Sequence, residues 1–166
     1  MEDVDAAWER RNSELWNAID DYDAADFVAR VEALAAELAP DSAVGLFERG
    51  CAQDSTGHPD RAIPLYRAAL DAGLDGLRRR RAAIQMASSL RNLGDAAESV
   101  RLLTAELDHH SDELDGAVRA FLALALADVG GEREALAVSL TALSRYLPRY
   151  NRSLARYASA LIAETR

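Results

Sequence analysis

The stretch GHPDRAIPLYRAALDAGLDGLRRRRAAIQMASSLRNLG, residues 57–94, decides the fold. It opens and closes on a glycine, and between them apolar residues recur at intervals of three and four with no period-two alternation. That spacing gathers the apolar side chains on one face of a helix and leaves no strand signal. Gly73, Asp75 and Gly76 break the run in the middle, so it reads as two helices joined by a short turn. Gly130 stands 36 residues past Gly94, which itself stands 37 past Gly57. The interval is close to the period of about 34 residues at which one kind of helical hairpin repeats along a chain.

The positions around these glycines repeat as well. Gly50, Ala87 and Ala123 precede the turn glycine by seven residues, and Ala62, Ser99 and Ala135 follow it by five. Two antiparallel helices joined by a tight turn approach closely only where the facing side chains are this small. Tyr66, Leu103 and Ser139 follow by nine residues, then come the pairs Ala69-Leu70, Glu106-Leu107 and Ala142-Leu143. Glu106 fits the pattern least. Such units bury their apolar faces only by stacking on neighbours. The expected fold is therefore all-α, a right-handed superhelical stack of antiparallel hairpins.

With the further breaks near residues 20–23, 40–42, 108–116 and 147–148, the total comes to about nine helices. The first, Val4 to Ile19, carries Val4, Trp8, Leu15, Trp16 and Ile19 on one face and Glu9, Arg10, Asn12 and Glu14 on the other, so it is expected to dock. The second, Ala24 to Leu38, starts behind Asp23 and ends before Pro40. One domain is expected, with an N-terminal helical pair over 1–41, three hairpins over 42–147 and a capping helix over 148–166. Pro64, four residues after Asp60, predicts a late start or a kink in its helix.

Charge narrows the function classes. The chain of 166 residues has a formal net charge of -9, unevenly spread. Residues 1–54 hold fourteen Asp or Glu against four Arg, whereas residues 55–166 hold fourteen against fifteen. An acidic chain repels polyphosphate at long range, so neither nucleic acid nor an anionic membrane is expected as a partner. No apolar run approaches the roughly 20 residues of a membrane span. Met1 to Asp5 carries acids where a secretory signal needs a basic start, and the expected location is cytoplasmic. Cys51 is the single cysteine, in keeping with a reducing compartment.

The intervals around Gly57, Gly94 and Gly130 resemble the tetratricopeptide repeat superfamily over about residues 43–149. The strings PLYRAALDAGLDGLRRRRAAIQMASSLRNLG, FLALALADVG and RYNRSLARYA, within residues 42–160, are similar to a bacterial family of such repeats common in actinobacteria. The resemblance implies a non-enzymatic scaffold that binds a protein or peptide partner in a concave groove, with no cofactor. It departs from the usual pattern where Leu46 or Ala83 replaces an aromatic near the start of the first helix, and Leu74 replaces a closing proline. It places Phe47, Cys51, Asp54 and Ser55 of the first unit on the groove wall. From the second unit it places Arg81, Ile84, Gln85, Ser88, Arg91 and Asn92 there. Side chains three, four and seven apart share a helix face. Arg81, Gln85, Ser88, Arg91 and Asn92 are therefore the candidate binding residues, suited to the carbonyls or terminal carboxylate of an extended segment.

Three further readings accompany this one. The last helix, Pro148 to Glu164, sets Tyr150, Leu154, Tyr157 and Leu161 on a packing face beside a basic stripe of Arg145, Arg149, Arg152 and Arg156, either a cap or a site for an anionic partner. A small enzyme would need a metal at the His109-His110 loop or a nucleophile at Cys51 with His58 as base, and neither spacing is that of an assembled site. A homo-oligomerisation module is the third. Arg78 to Arg81 stand at a helix start, where the dipole disfavours cations, so acids from a neighbour are expected to balance them.

Overall fold

The computed structural model describes residues 4–109 and 111–163. Among the described residues there are nine α-helices, one 3₁₀ turn at Ile19–Asp21, and no strand. The helices are α1 Ala6–Asn17, α2 Ala24–Ala35, α3 Ala43–Ser55, α4 Pro59–Asp71, α5 Gly76–Asn92, α6 Ala96–His109, α7 Asp115–Asp128, α8 Glu132–Ser144 and α9 Asn151–Ala163. They fall into two compact units, Met1–Ser89 and Leu90–Arg166.

In the first unit α1 is capped by Asp5, whose side chain accepts the Ala7 N–H, and it docks as its apolar face requires. Trp8 is buried, and Trp16 meets Phe27 edge-on with ring centroids 5.0 Å apart. Asn12 departs from expectation: it is buried, because it lies one turn beyond Trp8 on the docked face. On α2, capped by Asp23, the residues Phe27, Val31 and Leu34 repeat at four and three and form its buried stripe.

The α3–α4 hairpin shows why the register glycines recur. Gly57 has φ +83°, and the His58 N–H reaches back to the Gln53 carbonyl at 2.9 Å, closing α3 in a left-handed cap that L side chains adopt at a cost. Gly94 and Gly130 have φ +90° and +81°, with the same reach-back from Asp95 to Leu90 and from Gly131 to Leu126. At Gly50 the reason is contact, since a Cβ there would stand 2.8 Å from Tyr66 Cε1. The late start expected at Pro64 does not occur, and α4 begins at Pro59. Pro59 occupies the first helical turn, where its missing N–H costs nothing, and burial of Ala62, Ile63, Tyr66 and Ala69 holds the helix through Pro64.

The second unit repeats the packing with smaller residues. Ala123, Ala135 and Ala142 are buried at the register positions, with Leu103, Leu122 and Leu126 between helices. Glu106, the poorest match, is buried at its register position all the same and is engaged there. Asp115 opens α7 and accepts from Ser111 Oγ at 2.7 Å and from Arg145 at 3.2 Å. These bonds hold its carboxyl well below the usual carboxylate range, with the Ser111 hydroxyl the largest cause.

Candidate functional site

The start of α5 is neutralised from elsewhere in its unit, as its run of arginines demands. Arg78 forks onto Glu9 at 2.8 and 2.6 Å and reaches Glu48 at 3.3 Å. Glu48 is 2% exposed and also accepts the Trp16 indole N–H at 2.8 Å, so α1, α3 and α5 meet on one carboxylate. Arg79 and Arg80 are engaged too, and Arg80 is fully buried.

Four residues expected on an open wall are instead buried or bonded. Phe47, Cys51 and Ile84 are buried, and Asp54 accepts from Ser89 Oγ at 2.8 Å and from the Tyr66 hydroxyl at 3.3 Å. The reason is that α3 and α5 lie side by side, so positions that point outward from one helix point into its neighbour. Cys51 donates its S–H to Gln85 Oε1 at 3.3 Å. Burial, with the Glu48 charge adding to it, pushes the Cys51 thiol up to about 12. Desolvation likewise raises the Tyr66 phenol. A thiol so held is a packing group and a weak donor; it lacks the thiolate character of a nucleophile.

The five candidate residues therefore divide. Gln85 is half-buried and takes the Cys51 bond with its carbonyl oxygen. Arg91 pairs with Asp128 of α7, Nε to Oδ2 at 2.5 Å. Arg81 is exposed, its guanidinium 5.1 Å from the centroid of the Phe47 ring, within cation–π range. Arg81, Ser88 and Asn92 have no hydrogen-bonding or ionic side-chain partner among the described residues. They stand seven and four apart, which aligns them along one side of α5.

The second unit adds a feature not singled out from sequence. An open hollow of about 550 Å³ is lined by Ala120, Ala123, Leu124, Ala127, Leu136 and Ser139. Leu124 is 48% exposed and Leu136 49%, and Asp128, the partner of Arg91, follows Leu124 by one turn. The signal was in the register: Leu124 follows Ala123 as Ser88 follows Ala87 and Cys51 follows Gly50. Carried to the third unit, the outward series gives Ala117, Ala120, Phe121, Leu124, Ala127 and Asp128.

The other candidates fare differently. His109 ends α6 and is exposed, while His110 lies outside the described residues. Among the described residues no group of three or more metal-ligating side chains converges. On α9 the expected packing face is corrected: Tyr150 is 77% and Tyr157 60% exposed, and burial falls on Ala158, with Leu154 and Leu161 half-buried. Ala158 lies four from Leu154 and three from Leu161, and its small side chain lets α9 approach α8 where a tyrosine would not fit. Among the described residues no helix is long and apolar enough to cross a membrane.

Comparison with known proteins gives one finding. No curated protein and no solved structure matches the chain. The profile of the family described as Tetratrico peptide repeat matches residues 43–161, from the start of α3 nearly to the end of α9. With its helices, its glycine-capped hairpins and its small residues at the register positions, the chain belongs to the tetratricopeptide repeat family and is an all-α helical repeat stack.

Proposed function

We propose that the chain is a cytoplasmic, non-enzymatic scaffold that binds an extended segment of a partner protein along the outward side of α5, through Arg81, Gln85, Ser88, Arg91 and Asn92. Repeats of this family generally mediate protein–protein interaction. The observation that carries the reading is the unspent hydrogen-bonding capacity of Arg81, Ser88 and Asn92. The adjoining helix positions Ala82, Ala83, Met86, Ala87 and Leu90 are all buried. A guanidinium lying over the Phe47 ring keeps its N–H donors for a partner's carbonyls or carboxylate, while Ser88 and Asn92 both donate and accept. In the second unit the hollow beside Leu124 offers an apolar side chain a seat next to the Arg91–Asp128 pair.

The test begins with affinity capture of the partner by the full chain, followed by affinity and thermal midpoint for Arg81→Lys, Arg91→Lys and Arg152→Lys side by side. Arg81→Lys keeps the charge and loses the fork, so binding weakens by about 1 to 3 kcal/mol with stability unchanged. Loss of affinity in Arg152→Lys alone contradicts the assignment.

A further inference from the structure

The outer side of α9 takes no part in the α5 reading. Tyr146 and Tyr150, in the turn before α9, and Tyr157 on α9 are 70%, 77% and 60% exposed; the Tyr146 hydroxyl lies against Gly116 of α7, and Arg149, Arg152 and Arg156 in the same stretch are exposed. Residues 142–163 contain no Asp or Glu. Among the described residues Arg149 and Arg152 have no carboxylate partner, and Arg156 lies 5.3 Å from the centroid of the Tyr157 ring. Tyr150 has φ +67°, a left-handed conformation that Gly or Asn takes at lower cost than an aromatic residue. Among the described residues only its carbonyl is hydrogen-bonded, accepting the Leu154 N–H at 2.9 Å and the Ser153 hydroxyl at 3.0 Å. Folding therefore gives no reason for a tyrosine ring at this position. Tyrosine and arginine are the residue types that most often anchor protein interfaces.

We infer that this tyrosine and arginine face is a protein interface whose occupant is the acidic Asp20–Asp26 segment of a second copy of the chain. The argument is charge complementarity. Asp20, Asp21, Asp23 and Asp26 are exposed around Tyr22, in the part of the chain that carries the excess of acid. Asp23 caps α2 and Asp26 pairs with Arg30, whereas Asp20 and Asp21 have no ionic partner among the described residues. Arginine forks match carboxylates in geometry, and the tyrosine rings supply apolar area beside them. The two patches differ, so each copy both offers and receives a contact, giving reciprocal dimers or open chains.

Sedimentation velocity on the full chain, from micromolar to near-millimolar and at low and high salt, tests this. The expected result is reversible association that weakens as salt screens the charges. R152E/R156E and D20R/D21R each remain monomeric alone, and an equimolar mixture of the two associates, because the reversed patches match. Tyr150→Asn relieves the left-handed strain, so its thermal midpoint holds or rises while association weakens about tenfold or more. A wild-type chain that stays monomeric throughout overturns the proposal, as does association that R152E/R156E leaves unchanged. Association lost in R152E/R156E and kept in D20R/D21R overturns the acidic segment as occupant, and so does a mixture that fails to associate.

Discussion

Trp8 of α1 donates its indole N–H to the backbone carbonyl of Leu34 of α2 at 2.9 Å, within a fully packed contact. The Leu34 carbonyl, near the end of α2, also accepts the Glu37 N–H at 3.3 Å, so the indole fills its second lone pair and ties α1 to α2. Trp8→Phe keeps most of the area and loses the bond, so it should cost about 1 kcal/mol. Trp8→Ala should cost about 3 to 5 kcal/mol by the volume lost. Urea unfolding measures both, and limited proteolysis of the alanine variant should cut first within residues 4–20. Equal losses in the two variants would mean that the bond, and not the packing, holds α1.

Gly50 and Gly57 are seven residues apart and are needed for opposite reasons. At Gly50 a methyl group would press on the edge of the buried Tyr66 ring, so Gly50→Ala should destabilise by about 1 to 3 kcal/mol. At Gly57 there is open space and a positive φ, so Gly57→Ala should cost about 1 kcal/mol through the backbone alone. A Tyr66→Phe background changes neither prediction, whereas Tyr66→Ala should relieve Gly50→Ala and leave Gly57→Ala untouched. The double-mutant cycle separates contact from conformation.

Cys51 should be slow to react with a thiol reagent at pH 8, and its labelling rate should follow the unfolding equilibrium as urea is raised. Its folded pKa of about 12 lies above the ordinary value of 9.0. The stability it contributes is therefore complete below about pH 9 and is lost as pH rises from there toward 12. Cys51→Ala should flatten that part of the stability profile. Fast labelling at pH 8 without denaturant would contradict the burial.

The repeat was legible in the sequence because it rests on local rules: Gly57, Gly94 and Gly130 are where the backbone turns left-handed, and Gly50, Ala87 and Ala123 are where helices touch. What could not be read was which neighbour each outward position meets. Phe47, Cys51 and Ile84 are buried although Cys51 holds the same register position as the half-buried Ser88, and only the pairing of α3 with α5 decides which of these positions are covered. Asn12 and Tyr157 failed for a related reason, because helical period fixes a stripe to within about one residue and side-chain size at the crossing chooses within it. The late start expected at Pro64 failed because burial on α4 outweighed one lost hydrogen bond.

The most direct test of the α5 assignment is site-specific photo-crosslinking in the native cell, with a benzophenone amino acid placed singly at Ser88, Asn92, Leu124 and Arg152. The assignment predicts that Ser88 and Asn92 crosslink to one common partner segment, and that Leu124 crosslinks to an apolar residue of the same protein. Crosslinks that form at Arg152 and at none of the other three positions would contradict it.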